Sequence, residues 1–118
     1  MPQYLLLLSH EDPTNFSDLS PEEVQKIVEE YKSWRGKIQA DGTYIGSNKL
    51  RDEGGKSLLK PNGQLRITDG PFVEAKEVIG GYFLVSASDY DQAVKIAEGC
   101  PHLNYGGRIE LREVENVG

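Results

Sequence analysis

Hydrophobic and polar positions alternate along this chain in stretches whose periods differ, and the periods predict its elements. Tyr4-Leu5-Leu6-Leu7-Leu8 is apolar on both faces of an extended chain, so Gln3 to Ser9 reads as a central strand covered on both sides. His10-Glu11-Asp12-Pro13-Thr14-Asn15 reads as a polar loop. Ser20-Pro21-Glu22-Glu23 then opens a helix: Ser20 caps, Pro21 suits the first helical position, and Glu23 completes a capping box. Val24, Ile27, Val28, Tyr31, Trp34 and Ile38 follow at helical spacing as one apolar stripe, and Gly42 is a C-terminal stop. Thr43 to Leu50 has the aromatic and β-branched residues of a strand, and Arg51 to Gly55 is a charged, glycine-rich loop.

Beyond that loop the period changes to two. Ser57-Leu58-Leu59 and Gln64 to Thr68 flank Pro61-Asn62-Gly63, whose Asn-Gly pair signals a β-hairpin. Leu65 and Ile67 alternate with Arg66 and Thr68, which predicts one buried hairpin face. Asp69-Gly70-Pro71-Phe72 interrupts this pattern. Gly80-Gly81 marks a bulge before a second central strand, Tyr82-Phe83-Leu84-Val85. Ser88-Asp89 caps a shorter helix with Tyr90, Ala93, Val94 and Ala97 on its inner face, ended by Gly99-Cys100-Pro101. Arg108 to Arg112 alternates as a last strand with one wet face. The order is strand, helix, strand, hairpin insertion, strand, helix, strand. It predicts an α+β, ferredoxin-like domain over residues 1–118, with two helices on one face of an antiparallel sheet. The opposite sheet face needs a cover, and a second subunit can supply it.

Composition narrows the functional classes. The 118 residues are 37% hydrophobic and 27% charged, which fits a globular chain of single-domain size. A net charge of -6 disfavours nucleic acid, whose phosphates the average surface repels. The lone cysteine, Cys100, suits a reducing compartment. Leu5 to Leu8 is too short for a secretory core or a membrane span, so the predicted location is cytoplasmic, with no membrane partner. There is no His-x-x-x-His and no cysteine pair, and neither Gly54-Gly55 nor Gly80-Gly81 fits a phosphate-loop template. No metal and no cofactor are therefore expected.

The stretch Thr68-Asp69-Gly70-Pro71-Phe72-Val73-Glu74-Ala75-Lys76-Glu77, continuing to Gly80-Gly81-Tyr82, resembles the segment that names the DGPF group of the YCII-related family. The Tyr-Leu-Leu-Leu strand, the Ser-Pro-Glu-Glu helix start and the Gly-x-Ile-Glu-Leu-Arg strand agree with it, so the likeness spans nearly the whole chain. The resemblance implies a dimeric ferredoxin-like α/β barrel with a ligand pocket between sheet and helices. It also implies an association of some members with extracytoplasmic-function sigma factors, and acid/base chemistry by a His and Asp pair in others. This sequence departs from that pair: the helix histidine position falls at about Tyr31, and the only histidines are His10 and His102.

Asp69 follows a strand and precedes a glycine and a proline, a combination that builds a tight corner whether or not it binds anything. As a site, it would place Asp69 at a pocket rim as acceptor or general base, with Gly70, Pro71, Phe72, Lys76 and Glu77 around the ligand. His10 or Tyr31 would be its proton-handling partner, and Trp34 would line the pocket, although both helix aromatics also suit simple packing. Cys100 reads as a small packed residue at a helix end. Three functions follow: a dimeric small-molecule-binding or regulatory protein, a lyase or isomerase using Asp69 with His10 or Tyr31, and a protein-interaction module. The missing helix histidine favours the first.

Overall fold

A computed structural model describes residues 1–11, 19–70 and 77–117. Strand β1 spans Gln3–His10, helix α1 Pro21–Ala40, β2 Tyr44–Lys49, β3 Lys56–Leu59, β4 Arg66–Asp69, β5 Val78–Ser86, helix α2 Tyr90–Glu98 and β6 Arg108–Val114. Single turns of 3-10 helix occupy Pro61–Gly63 and Pro101–Tyr105. Much of the polar loop expected after β1 falls on residues 12–18, outside the described residues.

The helix starts follow the local chemistry. Ser20 accepts from the Glu23 amide at 3.1 Å while Glu23 accepts from the Ser20 amide at 3.4 Å, so two orphan amides are satisfied reciprocally. Asp89 caps α2 by accepting from the Gln92 amide at 2.9 Å. Gly42, just past α1, has φ +76°, a conformation that favours glycine.

Four strands form one antiparallel sheet in the order β2-β5-β1-β6, which makes the two most apolar strands central, as their sequences predict. The Gly80-Gly81 pair does mark a bulge: Leu8 faces Gly81 and Ser9 faces Ile79, so Gly80 is the extra residue. Tyr4, Leu6 and Leu8 of β1 and Phe83 and Val85 of β5 face Trp34 and Ile38 of α1, Ala93 and Ala97 of α2, and Cys100. Both helices therefore share one face of the sheet. On the other face Leu5, Leu7, Tyr82 and Leu84 are half-buried, and no described helix crosses them. Covering on both sides, expected for β1, is thus not achieved within the described residues of one chain. No helix of the described residues is long and apolar enough to cross a membrane.

Two helical stripes sit differently from their sequence pattern. Val24 and Val28 of α1 are exposed, because the core contact runs through Ile27, Trp34 and Ile38. In α2 the inner face is Ala93, Ile96 and Ala97, while Tyr90 and Val94 are exposed. Two alanines let α2 approach the sheet closely, and Val94, about 100° round the helix from Ala93, turns away. Tyr90 works from the margin, its ring edge-on to Tyr4 at 4.9 Å and its hydroxyl accepting from the Glu113 amide at 2.8 Å.

The hairpin forms, with Asn62 and Gly63 both at positive φ in its turn. Among the described residues β3 and β4 pair only with each other, Leu58 opposite Ile67. The predicted buried face is absent: Leu65 and Ile67 are 60% and 54% exposed, because no described part of the chain lies against them.

Candidate functional site

Antiparallel pairing brings the end of β1, the end of β2 and the start of β5 to one edge of the sheet. The Leu50–Gly55 loop closes over that edge. It is tied down by the Leu50 amide on the Gly80 carbonyl at 2.9 Å and by Lys49 Nζ on Asp52 at 3.2 Å. At its far end, Gly55 accepts from the Gly70 amide at 2.7 Å. The result is an open cleft of about 450 Å³ lined by His10, the Leu50–Gly55 loop, Val78, Ile79 and Gly80. That volume suits a small organic molecule.

His10 forms one wall of the cleft. Its ring lies over the bulge glycine: a Cβ on Gly80 would come within 3.0 Å of Nε2, so any side chain there would make the ring give by a few tenths of an ångström. The opposite ring nitrogen, Nδ1, is buried and has no hydrogen-bond partner among the described residues. A bare lone pair there costs less than an orphan N–H, so a neutral ring with no other partner for Nδ1 carries its proton on Nε2, at the Gly80 side. Arg51 makes no ion pair among the described residues, whereas Asp52 is engaged by Lys49. The cleft thus offers two donors, Nε2 of His10 and the Arg51 guanidinium, over an apolar floor of Leu50, Val78 and Ile79, with Glu53 as a carboxylate without an ion pair among the described residues.

Behind His10 sits the second histidine. His102 is 7% exposed and its Nε2 donates to the Ser9 carbonyl at 2.7 Å, bracing the end of β1. Its ring occupies the space a Gly107 side chain would take. Burial pulls its pKa below the usual histidine value, the Ser9 hydrogen bond opposes this, and nearby His10 adds to the lowering. Because the folded-state pKa is depressed, the unfolded chain binds the proton more readily. The stabilisation from neutral His102 is complete above about pH 6.5 and is lost as pH falls toward the depressed value. Chemical denaturation between pH 7.5 and 5 is expected to show this decline, and His102→Gln to flatten it.

The residues singled out in the sequence are dispersed. Asp69 ends β4 with its carboxylate 2.7 Å from Lys56 Nζ, largely exposed and not on the cleft wall. Gly70, at φ +80°, touches the rim through its bond to Gly55. Pro71, Phe72 and Lys76 lie outside the described residues. Glu77 accepts from Arg108 at 2.5 Å and from Ser9 Oγ at 3.5 Å, beside the open sheet face. Tyr31 is half-buried on α1 near Cys100 and Tyr105, and burial raises its pKa, so the hydroxyl stays protonated. Trp34 is 7% exposed in the core, its indole N–H on the Ile96 carbonyl at 3.2 Å. Cys100 is fully buried and burial pushes its thiol up to about 11, which removes the thiolate a nucleophile needs. Among the described candidates, His10 lines the cleft and Gly70 is bonded to its rim at Gly55.

Arg51, Glu53 and His102 were not singled out by sequence. The signal for His102 is Gly106-Gly107, a turn glycine at φ +78° followed by one whose missing side chain admits a ring. For Arg51 and Glu53 the signal is a charged loop leaving the same sheet edge that His10 occupies. The family model of the YCII-related domain matches residues 3–117. No curated protein matches the chain.

Proposed function

Because this chain belongs to the YCII-related domain family, we propose that it is a homodimeric small-molecule-binding protein whose pocket is the cleft beside His10. The observation that carries this reading is the His10 ring over Gly80, with one nitrogen buried and without a partner among the described residues and the other at the cleft side. His10 has no carboxylate partner among the described residues, and Asp69 is held by Lys56. Recognition is therefore favoured over proton transfer, which needs a base positioned and tuned by a neighbour. Two donors over an apolar floor suit a small molecule bearing an acceptor such as a carboxylate. The homodimer reading is supported by the half-buried leucines of the open sheet face and by a strand order that fits the ferredoxin-like barrel.

Ligand-observed NMR with a library of small carboxylic acids tests the pocket. Binders are expected to lose about tenfold or more in affinity on Arg51→Gln, the loss of one charge-assisted hydrogen bond. Gly80→Ala, whose methyl crowds the His10 ring, is expected to weaken the same binders. Binding indifferent to both substitutions would sink the assignment of this cleft.

A further inference from the structure

Among the described residues, the β3–β4 hairpin stands apart from the rest of the molecule. From Lys56 to Asp69 every residue is exposed except Ser57, which is half-buried. The chain spans 48 × 45 × 18 Å with a radius of gyration of 16.3 Å; a compact chain of this length would have about 13.5 Å. A two-stranded sheet alone in water is marginal. This one nonetheless carries Leu58, at 59% exposure, directly across from Ile67, at 54%, with Leu65 at 60% beyond them. Strand alternation puts Leu58 and Ile67 on one face, over the Lys56–Asp69 ion pair at the arm's base.

Charge separates the arm from the body in the same way. Lys56, Lys60 and Arg66 outweigh Asp69, so the arm carries a net +2 and the remainder of the chain -8. An apolar, cationic arm and an acidic body are complementary, and each copy of the chain has one of both. We propose that this arm is a clasp between subunits: the arm of one copy lies against the acidic body of a second, and the exchange is mutual. This rests on the homodimer reading above and extends it, since the clasp would hold two copies that the open sheet face alone brings together.

Sedimentation equilibrium on the full chain, run in low and high salt, tests it with two arm variants. Leu58→Ser/Ile67→Ser removes the apolar face and Lys60→Glu/Arg66→Glu reverses the charge; neither touches the core, which circular dichroism verifies. Each is expected to raise the dimer dissociation constant at least tenfold, and raising the salt is expected to weaken the native dimer. A native chain that is monomeric would overturn the homodimer reading and the clasp with it. A native dimer matched by both variants would overturn the clasp alone. So would rapid hydrogen exchange of the arm amides within an intact dimer, which would assign the arm to a different protein.

Discussion

Trp34→Ala is expected to destabilise the fold by about 3–5 kcal/mol, a fall in unfolding midpoint of about 10–20 °C for a chain this size. Three contacts disappear together. The indole meets Phe83 edge-on at 4.7 Å between centroids, donates to the Ile96 carbonyl at 3.2 Å, and packs where Gly99 has no side chain. The vacated space lies between both helices and the sheet, where neighbours cannot collapse without moving an element. Trp34→Phe keeps a ring and forfeits the hydrogen bond, so it should cost less than half as much. If both variants melt with the native protein while the His10 cleft loses its ligands, Trp34 serves binding and not the core.

Gly107→Ala is the second large effect, at about 2–6 kcal/mol. The added methyl would overlap the His102 ring. Overpacking of a tight interior costs about 1–3 kcal/mol, and displacing the ring also breaks its bond to the Ser9 carbonyl, leaving a buried acceptor unpaired at about 1–3 kcal/mol more. Gly106→Ala, one residue earlier, meets open space and strains only its positive φ, so it should cost less. Guanidinium unfolding of the pair separates the two mechanisms. Equal losses would show that backbone conformation, and not the room left for His102, sets the requirement at this turn.

Much of the fold is legible in the sequence because its signals are local. The Ser20 capping box, the Gly42 stop, the Asn62-Gly63 turn and the Gly80 bulge each depend on residues within a few positions of one another. The apolar runs that made β1 and β5 central are equally local. Val24, Val28, Tyr90 and Val94 were harder, since which part of a helical stripe is used depends on where the partner element ends. Leu65 and Ile67 show the same limit: alternation announces a face that should be covered, and says nothing of whether the cover belongs to the same chain. The cleft was the least legible. His10, Arg51 and Gly80 come together only through the pairing register of three strands, and a single bulge decides that register. Asp69 stood out as a corner residue; it ends β4 tied to Lys56, and the Pro71 and Phe72 of that corner lie outside the described residues.

The bulge at Gly80 also divides one strand into two separately adjustable halves. On its far side Gly81, Phe83 and Val85 keep strict inward phase with the core. On its near side the phase is reset, so that Val78 and not Ile79 faces His10. Changes at Val78 and Ile79 can therefore reshape the cleft without passing a shift down the strand into the packing beneath the helices. A lineage carrying this fold could vary what the cleft accepts while the framework that holds it stays the same.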